Sequence, residues 1–203
     1  MPDVLSLSPA VRTVTRTGPP GRREARPIAY YLAARIGGRD LTGLVPHAYG
    51  LITPLQGWWV EQVSPVIDEW LGRTSGLRLP DGFEPIRRLP EGRVPLLVGP
   101  WDDDPGCGWL TCRIEVARAT VAWRDLRWET GPAAGSRPVT GPTAGWVFDR
   151  GRYVATLEAA RAAVALLPRV DPDAPDHPAP IPGVPRWARP AWAGWQRLRH
   201  GNV

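Results

Sequence analysis

Asp102-Asp103-Asp104-Pro105-Gly106 is the densest run of cation-binding side chains in this sequence, and it follows Val94 to Val98, which reads as a buried strand. Carboxylates at a strand end can hold a divalent cation, with Glu129 or Asp125 contributed from a neighbouring hairpin. The chemistry would be that of a small metal-dependent hydrolase centred on the Asp102 to Asp104 turn. The spacing matches no calcium loop, because the alternating ligands and the glycine of that motif are missing. The run therefore reads first as a solvated acidic turn. Trp101 and Trp109 flank it, and Trp109 falls on the outward phase of the strand that follows, so Trp101, Asp102, Asp103, Asp104 and Trp109 outline a candidate ligand rim.

Cys107 and Cys112 invite a zinc site that fails on count, since a structural site takes four ligands and the histidines are only His47, His177 and His200. Cys112 sits on the inward phase of its strand and reads as a small core residue. Cys107 lies between Gly106 and Gly108 and reads as an exposed thiol, with His47 the one candidate base within the expected domain. Gly99-Pro100-Trp101 lacks the repeated glycines and helix start of a phosphate cradle. No metal and no cofactor is expected.

Binding chemistry has a stronger signal. The chain holds eleven Trp against two Phe, and all 25 of its basic residues are Arg. Both types dominate interface hot spots. Most of Trp58, Trp59, Trp70, Trp123, Trp128 and Trp146 obey the apolar phase of their elements, and the six read as core. The last residues differ: Arg186, Trp187, Trp192, Trp195, Arg197, Leu198 and Arg199 fall in or beyond a stretch of eight prolines that runs from Pro168 through Pro190. Trp192, Trp195 and Leu198 would share one helix face, flanked by Arg197 and Arg199. A Pro-rich stretch is an extended spacer, so the segment reads as a tethered docking element for another protein. Its alternative is to fold back on its own domain.

Charge is uneven along the chain. Residues 1 to 27 carry five Arg against Asp3 and Glu24, which leaves +3; residues 28 to 170 carry 16 Arg against 15 acids, which leaves +1. A folded nucleic-acid reader should carry its basic patch on the domain, whereas here the surplus sits at the ends. Two cysteines and the lack of a signal-peptide pattern predict a reducing, cytoplasmic setting, and no apolar stretch approaches a membrane span. The wealth of Ala, Gly, Pro and Arg also fits a GC-rich genome, which discounts the arginine signal.

Four segments follow: a flexible basic arm over 1–27, a single domain over 28–168, a Pro-rich linker over 169–186 and a Trp/Arg docking segment over 187–203. Within the domain, Ile28 to Ile36 fits either a helix turn or a strand stopped by Gly37-Gly38, and strand is the favoured reading. Thr53-Pro54-Leu55-Gln56 has the residues of a capping box and predicts a helix bearing Trp59, Val63, Ile67 and Trp70, interrupted by Pro65. Trp109 to Val116 and Thr120 to Glu129 alternate as a hairpin, and a bulge near Arg124-Asp125 restores Val121, Trp123, Leu126 and Trp128 to one face. Residues 130 to 144 read as a loop, and Gly145 to Phe148 as a short strand. Asp149 caps a helix whose Tyr153, Leu157, Ala160, Val164 and Leu167 form one stripe, stopped by Pro168.

The expected fold class is α+β: a mainly antiparallel sheet covered by two or three helices, with a disordered basic N-terminal arm and a Pro-rich C-terminal tail. The expected function is a non-enzymatic cytoplasmic adaptor that engages another protein in an assembly through its C-terminal segment. A nucleic-acid-binding accessory protein, with arms on phosphates and indoles on bases, is the first rival. The metal-dependent hydrolase is the second.

Overall fold

The computed structural model describes residues 1–18, 22–57, 60–73, 89, 92–99, 107–130, 135–140 and 145–168. Among them are eight strands, all paired antiparallel, and three helices, so the fold is α+β as the periodicities predict.

The first sheet corrects the sequence expectation. Residues expected to form a mobile arm make β1 (Leu5–Gly18), which pairs along its whole length with β2 (Arg22–Ile36). The physical reason is the inward alternation of β2, where Ile28, Leu32, Ala34 and Ile36 are buried and need a partner strand. Leu5 supplies its own buried contact opposite Ile36. Pro9 is tolerated because β1 lies at the sheet edge, and Pro27 because the register shifts beside it, where Arg12 pairs Ala29 and Thr13 pairs Pro27. A turn at Gly37-Gly38 leads to β3 (Arg39–Asp40) and the single-turn α1 (Leu41–Leu44).

Thr53 to Gln56 does not cap a helix, which is the second correction. Thr53 Oγ1 donates to the carbonyl of Leu32 at 2.6 Å, and Leu32 N–H donates to the carbonyl of Leu55 at 2.9 Å. With its hydroxyl and backbone committed to β2, the segment stays extended, and the described part of α2 begins at Val60. α2 (Val60–Trp70) contains Pro65 and buries Val63, Val66, Ile67 and Trp70.

The second sheet runs β4 (Val94–Leu97), β5 (Cys107–Val116), β6 (Thr120–Thr130) and β7 (Gly135–Pro138), with β8 (Trp146–Asp149) beside the first half of β6. β7 occupies a stretch expected to be loop, and pairs with Arg127 to Thr130 of β6. The bulge in β6 falls where the phase of Trp123 and Leu126 requires it: Arg113 pairs Arg124, Thr111 pairs Arg127, and Asp125 takes a left-handed φ of 50°. Two isolated bridges tie neighbouring segments to the second sheet. Asp3 bridges Phe148, and Ile52 bridges Val98.

α3 (Arg150–Ala165) is capped by Asp149, whose carboxylate accepts from Arg152 N–H at 2.9 Å, and buries Tyr153, Leu157, Ala160 and Val164 as its spacing predicts. It packs on α2, β1, β6 and β8. Arg161 to Asp68 at 2.8 Å and Arg73 to Glu158 at 2.9 Å pin α2 and α3 together at the surface.

Trp123 is the centre of the main core. Its ring meets Trp70, Trp146, Phe148 and Tyr153 edge to face, at centroid distances of 5.3, 6.0, 5.1 and 6.3 Å. Three buried donors of the cluster have acceptors: Trp123 Nε1 donates to Tyr153 Oη, Tyr153 Oη to Trp70 O, and Trp70 Nε1 to Pro95 O. Trp70, Trp123 and Trp146 are thus core residues, with Trp128 half-buried against them. Gly145 is required beside this cluster, since a Cβ on it would collide with the carbonyl of Trp123, and its φ is 111°.

Candidate functional site

The polar residues that the structure gathers lie on the other face of the second sheet. Strand alternation turns Leu110 and Cys112 toward the main core, and Thr111, Arg127 and Glu129 the opposite way. Arg93, just before β4, reaches across them. Its Nε donates to Thr111 Oγ1 at 2.9 Å and to Glu129 Oε1 at 3.1 Å; its Nη1 donates to Asp125 Oδ2 at 2.8 Å; its Nη2 donates to Asp125 O at 2.6 Å and to Thr111 O at 3.2 Å. Glu129 Oε1 also accepts from Thr111 Oγ1 at 2.9 Å and from Ser136 Oγ at 3.0 Å.

Burial decides what this cluster can do. Arg93 is 3% exposed and Glu129 2%, so their charges are taken out of water and compensate each other at close range. Asp125 is more open, and its carboxyl is held below the ordinary range by the hydrogen bond from Arg127 Nε and, against the effect of burial, by the charge of Arg93. The two hairpin carboxylates that the sequence offers as cation ligands, Asp125 and Glu129, are therefore tied to a guanidinium. All three nitrogens of Arg93 donate to the protein and the side chain is 3% exposed, which leaves an incoming anion little access to it. The arrangement works as a clamp that holds the β6 bulge, β5 and β7 in register. Among the described residues, no three His, Cys, Asp or Glu side chains are grouped so as to hold a metal ion.

Arg93 has only a weak signature in the sequence. It precedes an all-apolar strand, a place that predicts a solvated charge unless the register across β5 is known.

Two further polar side chains are sealed without a hydrogen-bond partner among the described residues: Gln56 and Glu69. Glu69 sits in the last turn of α2, 1% exposed, and burial pushes its carboxyl up to about 7. A carboxyl that titrates near neutrality suits acid-base chemistry, yet no described side chain lies within hydrogen-bonding reach to receive or supply its proton.

Only some of the residues singled out by the sequence fall among the described residues. Trp109 is 3% exposed and packs with Ala29, Ile52 and Val98 in a second, smaller apolar cluster, so its outward strand phase leads into this cluster. The rest of the candidate rim, Trp101, Asp102, Asp103 and Asp104, lies outside the described residues, as do Trp58 and Trp59. Cys112 is sealed in the core, where burial pushes its thiol far above the ordinary range. Cys107 opens β5, and His47 is exposed in the turn after α1 with a φ of 63°. Arg186, Trp187, Trp192, Trp195, Arg197, Leu198 and Arg199 lie outside the described residues.

No helix among the described residues is long and apolar enough to cross a membrane. No family model, no curated protein and no solved structure matches the chain.

Proposed function

We propose that this protein is a non-enzymatic adaptor whose folded body is a rigid mount for a Trp- and Arg-rich C-terminal segment that docks on another protein. The observation that carries the proposal is the anchoring of the chain where the body ends. A Cβ at Gly57 would lie 2.6 Å from the carbonyl of Pro168 and 3.2 Å from Leu167 Cβ, so the end of α3 is seated directly on the extended segment that pairs with β2. Leu167 packs against the core at the same point. Pro168 is therefore held at a fixed site, and a spacer of polyproline geometry after it would extend by about 3.1 Å per residue. The interior ionic groups support the same reading, because Arg93, Glu129 and Asp125 are bound to one another as architecture.

The test is affinity capture from the native host with the full chain and with Trp187→Ala, Trp192→Ala and Trp195→Ala combined in it. The adaptor reading expects one partner that co-purifies with the native chain, survives high salt and is lost from the variant. The same partner retained by the variant would sink it.

A further inference from the structure

We propose that the outer half of the β1–β2 hairpin is a binding site for duplex nucleic acid, in which a two-stranded ribbon meets the phosphates through its arginines. This goes beyond the adaptor reading and does not depend on it.

The hairpin has two halves of different character. From Leu5 to Arg12 and from Ala29 to Ile36 it belongs to the body, with Leu5, Ala29, Leu32, Ala34 and Ile36 buried. The register shift between Arg12 and Thr13 marks the boundary. There the guanidinium of Arg12 stacks on the ring of Tyr49, 5.3 Å from its centroid, and Tyr49 is itself 90% exposed. Beyond the boundary, Thr13, Ala25 and Pro27 are exposed. The strands nevertheless stay paired, from Thr13 opposite Pro27 to Gly18 opposite Arg22. Outside this pairing, no bridge joins 13–18 or 22–27 to any other described strand.

Composition then selects the partner. Residues 12 to 26 contain Arg12, Arg16, Arg22, Arg23 and Arg26 against Glu24 alone, which leaves +4. Thr13, Thr15 and Thr17 add hydroxyls of the kind that bond phosphate. Large apolar residues are missing from 13–27, where Val14 and Ala25 are the apolar members besides proline, so the ribbon cannot form the aromatic or aliphatic centre of a protein interface. A polyanion is the complementary surface. The dimensions agree, since six residues at about 3.4 Å each reach roughly 20 Å, and a two-stranded ribbon fits the major groove of B-DNA, about 12 Å wide. The basic surplus thus has an ordered backbone to carry it, which sets this hairpin apart from a charged coil.

Arginines in a strand pair can also serve only to prevent edge-to-edge aggregation, and the experiment separates the two roles. Anisotropy titrations of a labelled 30-base-pair mixed-sequence duplex are run with the full chain between 50 and 200 mM salt. Two variants go beside it, one with Arg16→Gln, Arg22→Gln, Arg23→Gln and Arg26→Gln, the other with Arg186→Gln, Arg189→Gln, Arg197→Gln and Arg199→Gln. Poly-glutamate serves as competitor, and a thermal melt of each protein checks that the fold survives. The proposal expects the native chain to bind with a steep salt dependence. The hairpin variant should lose about tenfold or more in affinity and flatten the slope of log K against log salt by up to about 3.6, at roughly 0.9 for each of four lost phosphate contacts. The tail variant should keep most of the affinity. The proposal is overturned if the native chain does not bind at 50 mM salt, if the folded hairpin variant binds like the native chain, if the tail variant alone loses binding, or if poly-glutamate competes as well as unlabelled duplex.

Discussion

Arg93 and Glu129 meet across the intervening β5 strand with Nε and Oε1 3.1 Å apart, and each side chain is 3% exposed. This pair joins the start of β4 to the end of β6 on the face of the sheet opposite the main core. It has the hallmark of a structural clamp, because Thr111 and Ser136 complete the coordination of the carboxylate.

Removing one member of the pair should cost more than removing both. Arg93→Met leaves Glu129 charged and buried, and destabilisation of about 3 kcal/mol or more is expected. The double variant Arg93→Met, Glu129→Leu should lose clearly less than the sum of the two single variants. Urea unfolding of the four proteins measures the difference, and strict additivity would show that the pair is not coupled.

Tyr153→Phe removes one hydroxyl and strands two groups, the indole Nε1 of Trp123 and the carbonyl of Trp70. Each buried group left without a partner costs about 1–3 kcal/mol. The expected result is a lower Tm, with a change in Trp fluorescence that reports the altered surroundings of Trp123.

Glu69 gives the fold a stability that declines toward neutral pH. Its carboxyl titrates near 7 in the folded protein because of burial, against an ordinary value of 4.5. The folded state therefore binds more protons than the unfolded state between those values. The stabilising contribution is complete below about 4.5, is lost as pH rises to about 7, and stays lost above it. Glu69→Gln should remove this slope and leave the protein less pH-dependent between 5 and 7.5, measured as urea midpoints. Asp125 acts on the other side: its lowered value contributes stability above the ordinary carboxylate range that is lost as pH falls through the folded value.

Cys112 is expected to be inert in the native state. Burial raises its thiol far above neutrality, and the thiolate is the reactive form. With Cys107→Ser in the background, a thiol reagent should label no site until denaturant is added. Labelling at the rate of a free thiol would place Cys112 in a mobile part of the sheet.

The sequence by itself determined the elements whose signals are local. Asp149 with the stripe Tyr153, Leu157, Ala160 and Val164 specifies α3, because a cap and a repeat of three and four residues hold within one segment. The change of apolar phase between Trp123 and Leu126 requires a bulge at Arg124-Asp125, and the left-handed φ of Asp125 lies there. Tertiary structure decided the rest. Residues 5 to 18 are a strand only because β2 offers a pairing edge, so their composition alone resembles a disordered arm. Thr53 and Gln56 have the spacing of a helix cap, yet the carbonyl of Leu32 takes the hydroxyl first. Arg93 becomes a buried clamp through contacts 18, 32 and 36 positions away. Interactions between residues so far apart depend on which strands become neighbours, and that is settled when the whole apolar surface is buried at once.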